Sequence, residues 1–269
     1  LGQAWILLCF QLGGLGIVVL SSFILLALGG RLSLRADTTI GASEVAPKLN
    51  RKKLVRDVVI FTLAIEAAGF LFLFILFGQS MPVGSAAWHA AFHAVSAFCN
   101  AGFSTFEGSL LAYEDNTGVL AVITVLEVLG VIGFLVLEEV YRRLKSSGGP
   151  RYRVSLHTKI VIVTTAILIV VGALVSAAIE WDNSRTLGAL PVWERVTNAY
   201  FMSAMSRTCG FSTIDYASLT SAGSLWTILL MTIGGSPGST AGGIRTTTFA
   251  ILILLAWSRF RRQSMVSIW

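Results

Sequence analysis

Hydrophobic positions in this chain fall in unbroken runs rather than in stripes. Runs at 5–28, 58–77, 119–140, 160–179 and 225–257 are apolar all round, the pattern of a helix surrounded by hydrocarbon or by other helices. A bilayer core about 30 Å thick takes roughly 20 residues of helix, so each run predicts a crossing. Two further apolar runs, 86–98 and 192–206, are helix-compatible but too short to cross. Runs of about 10–14 residues read as buried or re-entrant segments. Polar positions gather between the long runs, at 31–56 and 142–159, where Ser146, Ser147, Gly148, Gly149 and Pro150 mark a loop.

The short runs expose a repeat. Residues 96–105 read SAFCNAGFST and residues 204–213 read AMSRTCGFST, an offset of 108. Order is kept around both: long run, short apolar helix, a Gly-Phe-Ser-Thr loop, long run. The chain therefore holds two copies of a helix–pore loop–helix unit. Gly13, Gly14, Leu15 and Gly16 in the first run resemble Gly130 to Gly133 in the third and Gly234 to Gly238 in the fifth. Each of these runs reads as the second helix of its own unit, which leaves the opening helix and loop of the first unit outside the chain. The first residue already lies in an apolar run, without an initiator Met or a signal peptide, so the sequence is expected to be a fragment of a longer protein.

Composition narrows the class. Apolar residues are 55% of the chain and charged residues 13%, with a mean hydropathy of +0.77. Soluble domains carry about a quarter charged residues, so these charges are too few to solvate a surface, and a bilayer is expected. The net charge of +6 is not a nucleic-acid footprint, because it lies in short clusters between apolar runs. Of 20 Lys and Arg, seven fall in 31–57, six in 142–159 and three in 259–262. By the positive-inside rule these loops are cytoplasmic, and 107–116 and 182–190 are external. Cys9, Cys99 and Cys209 form no CxxC pair, hence neither a disulfide framework nor a metal site.

Candidate chemistry sits at the two loops. Irregular backbone at membrane depth is tolerated where it is buried in protein or lines a watery path. Gly102 and Gly210 permit turns that bring consecutive carbonyls to one side, and rings of carbonyls replace the hydration shell of a cation. The C-terminal ends of the short helices add partial negative charge. No carboxylate cluster is present for calcium or magnesium, so a monovalent ion is expected. The fifth run, if one straight helix, would be roughly 50 Å long. It is interrupted at 234–243, where Gly234, Gly235, Ser236, Pro237, Gly238, Ser239, Thr240, Ala241, Gly242 and Gly243 cannot hold a regular helix. Such a segment beneath a filter would obstruct the path and could move as a gate; as a packed kink it would serve helix contact alone.

Other signals carry less. The stretch 234–238 matches G-x-S-x-G, but Pro237 lacks the N–H that an oxyanion hole takes from the residue after the serine. Residues 238–246 lack the Gly-Lys of a phosphate loop. No nucleophile with a partner base is arranged for an intramembrane protease, and a scaffold would not need matched loops. Glu66, Glu127, Arg207 and Arg245 are ionisable residues at membrane depth, where charges face the interior and pair. Arg207 and Arg245 admit two readings, bracing of the loops through carbonyls or a Glu, or a part in gating. His89 and His93 lie one turn apart on the first short helix and read as packing and hydrogen-bonding residues rather than metal ligands.

Three motifs carry a resemblance: Asn100-Ala101-Gly102-Phe103, Arg207-Thr208-Cys209-Gly210-Phe211, and residues 234–248, GGSPGSTAGGIRTTT. Over essentially all its length the chain resembles the Ktr/Trk/HKT superfamily of potassium transporters, and within it the KtrB-like bacterial pore subunits. The resemblance implies an all-α integral membrane fold, with four helix–pore loop–helix units around a pseudo-fourfold pore. It divides this chain into a second helix of a truncated first unit (1–30), a basic linker (31–57), a second unit (58–141), a basic linker (142–158), a third unit with a broken helix (159–258) and the start of a further linker (259–269). The implied function is potassium uptake across the plasma membrane; the alternative is a sodium-transporting or sodium-coupled member. Ion-binding carbonyls would be those of Asn100, Ala101, Gly102, Thr208, Cys209 and Gly210, with Cys209 standing where the family more often has alanine. The gate would be Gly234, Gly235, Ser236, Pro237, Gly238, Ser239, Thr240, Gly242, Gly243 and Arg245. Implied partners are a lipid bilayer, a second copy in a homodimer and a cytoplasmic ring of nucleotide-binding regulatory subunits, with no nucleic acid. No cofactor is implied beyond potassium or sodium as the transported or coupling ion. Two further filter loops would lie outside this chain, and the fragment alone would not form a selective pore.

Overall fold

The structure is a computed structural model that describes residues 2–36, 51–145 and 154–261. Most of the 31–57 linker, the centre of 142–158 and the end of 259–269 lie outside the described residues. The chain is all-α, with nine α-helices among the described residues: α1 (Gly2–Ala36), α2 (Arg51–Phe77), α3 (Val83–Phe98), α4 (Thr117–Ile132), α5 (Phe134–Lys145), α6 (Leu156–Glu180), α7 (Val192–Met205), α8 (Ser221–Thr232) and α9 (Thr246–Phe260). Helices α1, α2 and α6 are long and apolar enough to cross a bilayer. Their outward faces are apolar too, with Phe72, Ile75, Ile167, Val170 and Leu174 exposed, which is what a helix solvated by hydrocarbon presents.

The short helices α3 and α7 each begin directly after a proline, Pro82 and Pro191, whose fixed φ starts a helix without needing the missing N–H. Small residues let α3 sit close to its neighbours. Ala86, Ala90, Ala94 and Ala97 form one buried stripe, packed in a core with Leu73 and Phe77 of α2 and Leu120 and Ile123 of α4. Close approach through small side chains is how helices pack where no hydrophobic force separates protein from lipid. In the third unit Ser203 of α7 donates to the Ile169 carbonyl of α6 at 2.9 Å, and a Cβ on Gly172 would overlap the Ser203 hydroxyl.

Helix ends are tied down by side chains. Asn116 and Thr220 accept from Val119 and Gly223 N–H at the starts of α4 and α8, filling donors the first turn leaves free. The carboxylate of Glu180 is fully buried and accepts from Asn183 Nδ2 (2.6 Å), Thr186 Oγ1 (2.8 Å), Thr220 N (3.0 Å) and Thr220 Oγ1 (2.6 Å). One side chain thereby fixes the end of α6, the following turn and the start of α8.

One expected crossing is not a single helix. The run 119–140 breaks at Gly133, and α4 and α5 meet there at 101°. Gly133 has φ +84, a conformation that costs L-residues. The groups freed by the break are taken by residues 236–238 of the next unit. Val131 O accepts from Ser236 N (3.0 Å), Ile132 O accepts from Ser236 Oγ, and Phe134 N donates to Gly238 O (3.2 Å). The fifth run also divides, into α8 and α9, with irregular backbone between them from 233 to 245.

Candidate functional site

The two Gly-Phe-Ser-Thr loops leave the C-terminal ends of α3 and α7 and meet each other. In the first, Asn100 and Gly102 have φ +53 and +66; in the second, Thr208 and Gly210 have φ +83 and +98. Positive φ thus recurs at equivalent positions, 108 residues apart, each pair flanking a residue, Ala101 or Cys209, that does not share it. Two of the four are not glycine, and such backbone costs of order 1–3 kcal/mol unless its surroundings hold it. At the point of contact a Cβ on Gly102 would overlap the Cys209 carbonyl oxygen. By contrast, a Cβ on Gly210 would meet nothing within 4 Å.

The outer ends of the loops are locked together. Leu110 N donates to Ser212 O at 2.9 Å and Ser212 N to Ser109 Oγ at 3.1 Å. His93 and His89 support the first loop from behind. His93 Nδ1 donates to His89 O (2.7 Å), its Nε2 lies 2.9 Å from Ser104 Oγ, and His89 Nδ1 lies 2.6 Å from Thr105 Oγ1. The His93 ring stacks on Phe106 and Phe211. Among the described residues no group of three or more His, Cys, Asp or Glu converges. Glu114, after the first loop, has its carboxyl held above the ordinary range by partial burial and then by the charges of Glu194 and Asp115.

Below the loops lies the glycine-rich segment. Its two ends are joined by Gly234 N–H to Ile244 O (2.9 Å) and Ile244 N–H to Thr232 O (3.0 Å). A Cβ on Gly234 would overlap the Gly242 carbonyl oxygen, so the two strands of the segment touch backbone to backbone. Ser239 Oγ donates to Ser236 O at 2.6 Å. Arg245 folds back over the segment, its Nη1 donating to Ala241 O (2.6 Å) and Ser236 O (3.3 Å). Arg207, 1% exposed, reaches the same segment from the second loop, with Nη2 donating to Gly234 O at 3.3 Å. Both arginines therefore bond backbone carbonyls of residues 234–243.

Glu127 of α4 is buried, lies close enough to Arg207 to interact with its charge, and has no hydrogen-bond partner among the described residues. Glu66 accepts from Gln11 Nε2 (2.9 Å) and lies 3.8 Å from Cys99 Sγ, joining α1, α2 and the first loop. Sequence reading did not anticipate that Gly130 and Gly133 would be the dock for residues 236–240. The signal was present as a glycine pattern in the third run, but nothing local named its partner.

Two copies of helix, half-length helix, irregular loop and helix, set in an apolar exterior, define an all-α membrane protein. The profile of the TrkH family, described as cation transport protein, matches residues 2–268. The chain belongs to that family. It is 34% identical over 98% of its length to the Ktr system potassium uptake protein B of Vibrio alginolyticus, and 32% identical over 98% to the potassium/sodium uptake protein NtpJ of Enterococcus hirae. It spans 58% and 57% of those proteins. Among solved structures, the crystal structure of the potassium transporter TrkH from Vibrio parahaemolyticus superposes with a TM-score of 0.65 at 19% identity, covering 93% of this chain and 47% of that one. That likeness is one of fold.

Proposed function

We propose that the full-length protein carries potassium into the cell across the plasma membrane, through a path lined by filter loops and obstructed by residues 234–243. The observation that carries this reading is the recurrence of positive φ at Asn100 and Gly102 and at Thr208 and Gly210. Backbone that alternates in hand sets its carbonyls along one edge and its N–H groups along the other, and an edge of carbonyls substitutes for water around a monovalent cation. In this reading the carbonyls of Asn100, Ala101, Gly102, Thr208, Cys209 and Gly210 hold the ion. Arg245 adds a positive barrier beneath them. A homodimer with a cytoplasmic nucleotide-binding ring is the proposed assembly. Sodium is the second reading, favoured by the potassium/sodium uptake protein among the relatives.

The test is growth of a potassium-uptake-deficient host carrying the full-length gene, with rubidium uptake measured alongside. Saturable rubidium uptake that restores growth at low potassium is expected. Sodium uptake of equal affinity would favour the second reading, and no uptake of either ion would reject both.

Orientation gives a separate expectation. With Cys9 replaced by Ser, and Cys99 and Cys209 buried, single cysteines at 107 or 182 should react with an impermeant thiol reagent on intact cells. A cysteine at 145 should react once the cells are opened. Labelling at 145 from outside would invert the topology.

A further inference from the structure

The glycine-rich segment is joined to the first filter loop through one side chain. Thr240 Oγ1 donates to Phe98 O at 3.0 Å and accepts from Asn100 Nδ2 at 2.9 Å. Thr240 N–H donates to Gly130 O at 3.3 Å, which holds the threonine in place. Phe98 ends α3, and Asn100 is the first residue of that loop with positive φ. A hydroxyl has one proton to give, and here it goes to the Phe98 carbonyl, so the asparagine must turn its NH2 to Thr240. Asn100 Oδ1 has no hydrogen-bond partner among the described residues. The contact with Thr240 is thus what orients the amide.

Helix α4 leaves room for this arrangement only because residue 130 is glycine. A Cβ there would overlap the Phe98 carbonyl oxygen and lie 3.0 Å from both Asn100 Nδ2 and Thr240 Oγ1. On the other side, Arg207 attaches the second loop to Gly234, so both loops are bonded to the segment below them.

We propose that Thr240 is a specificity-determining clasp: its hydroxyl, reaching up from residues 234–243, holds the first filter loop in its ion-binding shape. Removing the hydroxyl takes away the donor to Phe98 O and the acceptor for Asn100 Nδ2 together. Asn100 then keeps its left-handed backbone without side-chain support, whereas asparagine visits that conformation chiefly where its short polar side chain can hydrogen-bond locally. Discrimination between potassium and sodium therefore depends on the Thr240 hydroxyl as well as on the loop's own carbonyls. This inference rests on reading residues 100–102 as a filter and 234–243 as a gate.

The experiment compares full-length parent, Thr240→Val, Thr240→Ser and Gly130→Ala in liposomes, at equal amounts of monodisperse protein, with rubidium and sodium fluxes measured separately. Valine keeps the shape and removes the hydroxyl. Its rubidium-to-sodium flux ratio should fall by about five- to tenfold, the size of losing one or two hydrogen bonds. Serine restores the hydroxyl and should recover most of the ratio. Gly130→Ala keeps Thr240 but crowds the clasp, and should move the ratio in the valine direction, which preserves the test if the valine protein does not fold. An unchanged ratio in Thr240→Val, or in Gly130→Ala where valine is unfolded, overturns the clasp, even if both fluxes rise. Loss of the clasp alone is separable from loss of the pore reading: if the parent shows no ion preference, or deleting residues 236–240 leaves flux unchanged, the underlying reading fails instead.

Discussion

Gly102→Ala in the full-length protein should lower the affinity for rubidium by at least about tenfold, or bring sodium uptake up to it, while Gly210→Ala should do less. Both positions have positive φ, +66 and +98, and a side chain there costs of order 1–3 kcal/mol in backbone strain. Strain of that size alone corresponds to roughly five- to 150-fold in the occupancy of the ion-binding shape. Gly102 carries a second penalty. Its missing Cβ points at the Cys209 carbonyl, so alanine there must push the second loop away and displace one of the proposed ligands. Gly210 faces open space, and alanine meets no neighbour. Rubidium and sodium uptake by a potassium-uptake-deficient host carrying each variant reads this out. Parental affinity and selectivity in both variants would sink the carbonyl-filter assignment.

Deleting residues 236–240 should raise potassium flux several-fold without regulatory input, in protein that still folds. The segment bonds the break in α4 through Ser236 N and Oγ, through Gly238 O and through Thr240 N. The consequence of removing it depends on where the break lies. If it lines a watery path, water replaces the lost partners and the helices stay in place. If it is a dry packed kink, Val131 O, Ile132 O and Phe134 N are left unpaired in a low-dielectric interior, at about 1–3 kcal/mol each, and the deletion variant misfolds. Liposome flux at equal folded amounts separates the two. Folded protein with flux at or below the parent would rule out the gate.

The variants also divide along the line between what is local in the chain and what is not. The tethers that hold residues 234–243 come from far away. Ser236 reaches Ile132 across 104 positions, Asn100 reaches Thr240 across 140, and Thr240 reaches Phe98 across 142. No window of the sequence contains both ends of such a contact. The 101° turn at Gly133 was missed for the same reason: residues 119–140 are apolar throughout, and an apolar run scores as one crossing whether or not a distant serine takes the carbonyls at its centre. Arg207 and Arg245 were visible as charges at membrane depth, yet which carbonyls they bond depends on how the third unit folds beneath the second.

By itself the sequence determined the membrane class, the repeat at 108 residues, the two half-length helices and the interruption at 234–243. Each of these is a property of a contiguous stretch: hydrocarbon thickness sets the length of an apolar run, and glycine and proline break a helix wherever they cluster. Only the tertiary structure decided that α4 breaks, that the glycine-rich segment docks on that break and bonds both loops, and that Thr240 sits between Phe98 and Asn100. Those outcomes are set by buried backbone groups that must find partners once water is gone, and the nearest partners in space are supplied by other units of the fold.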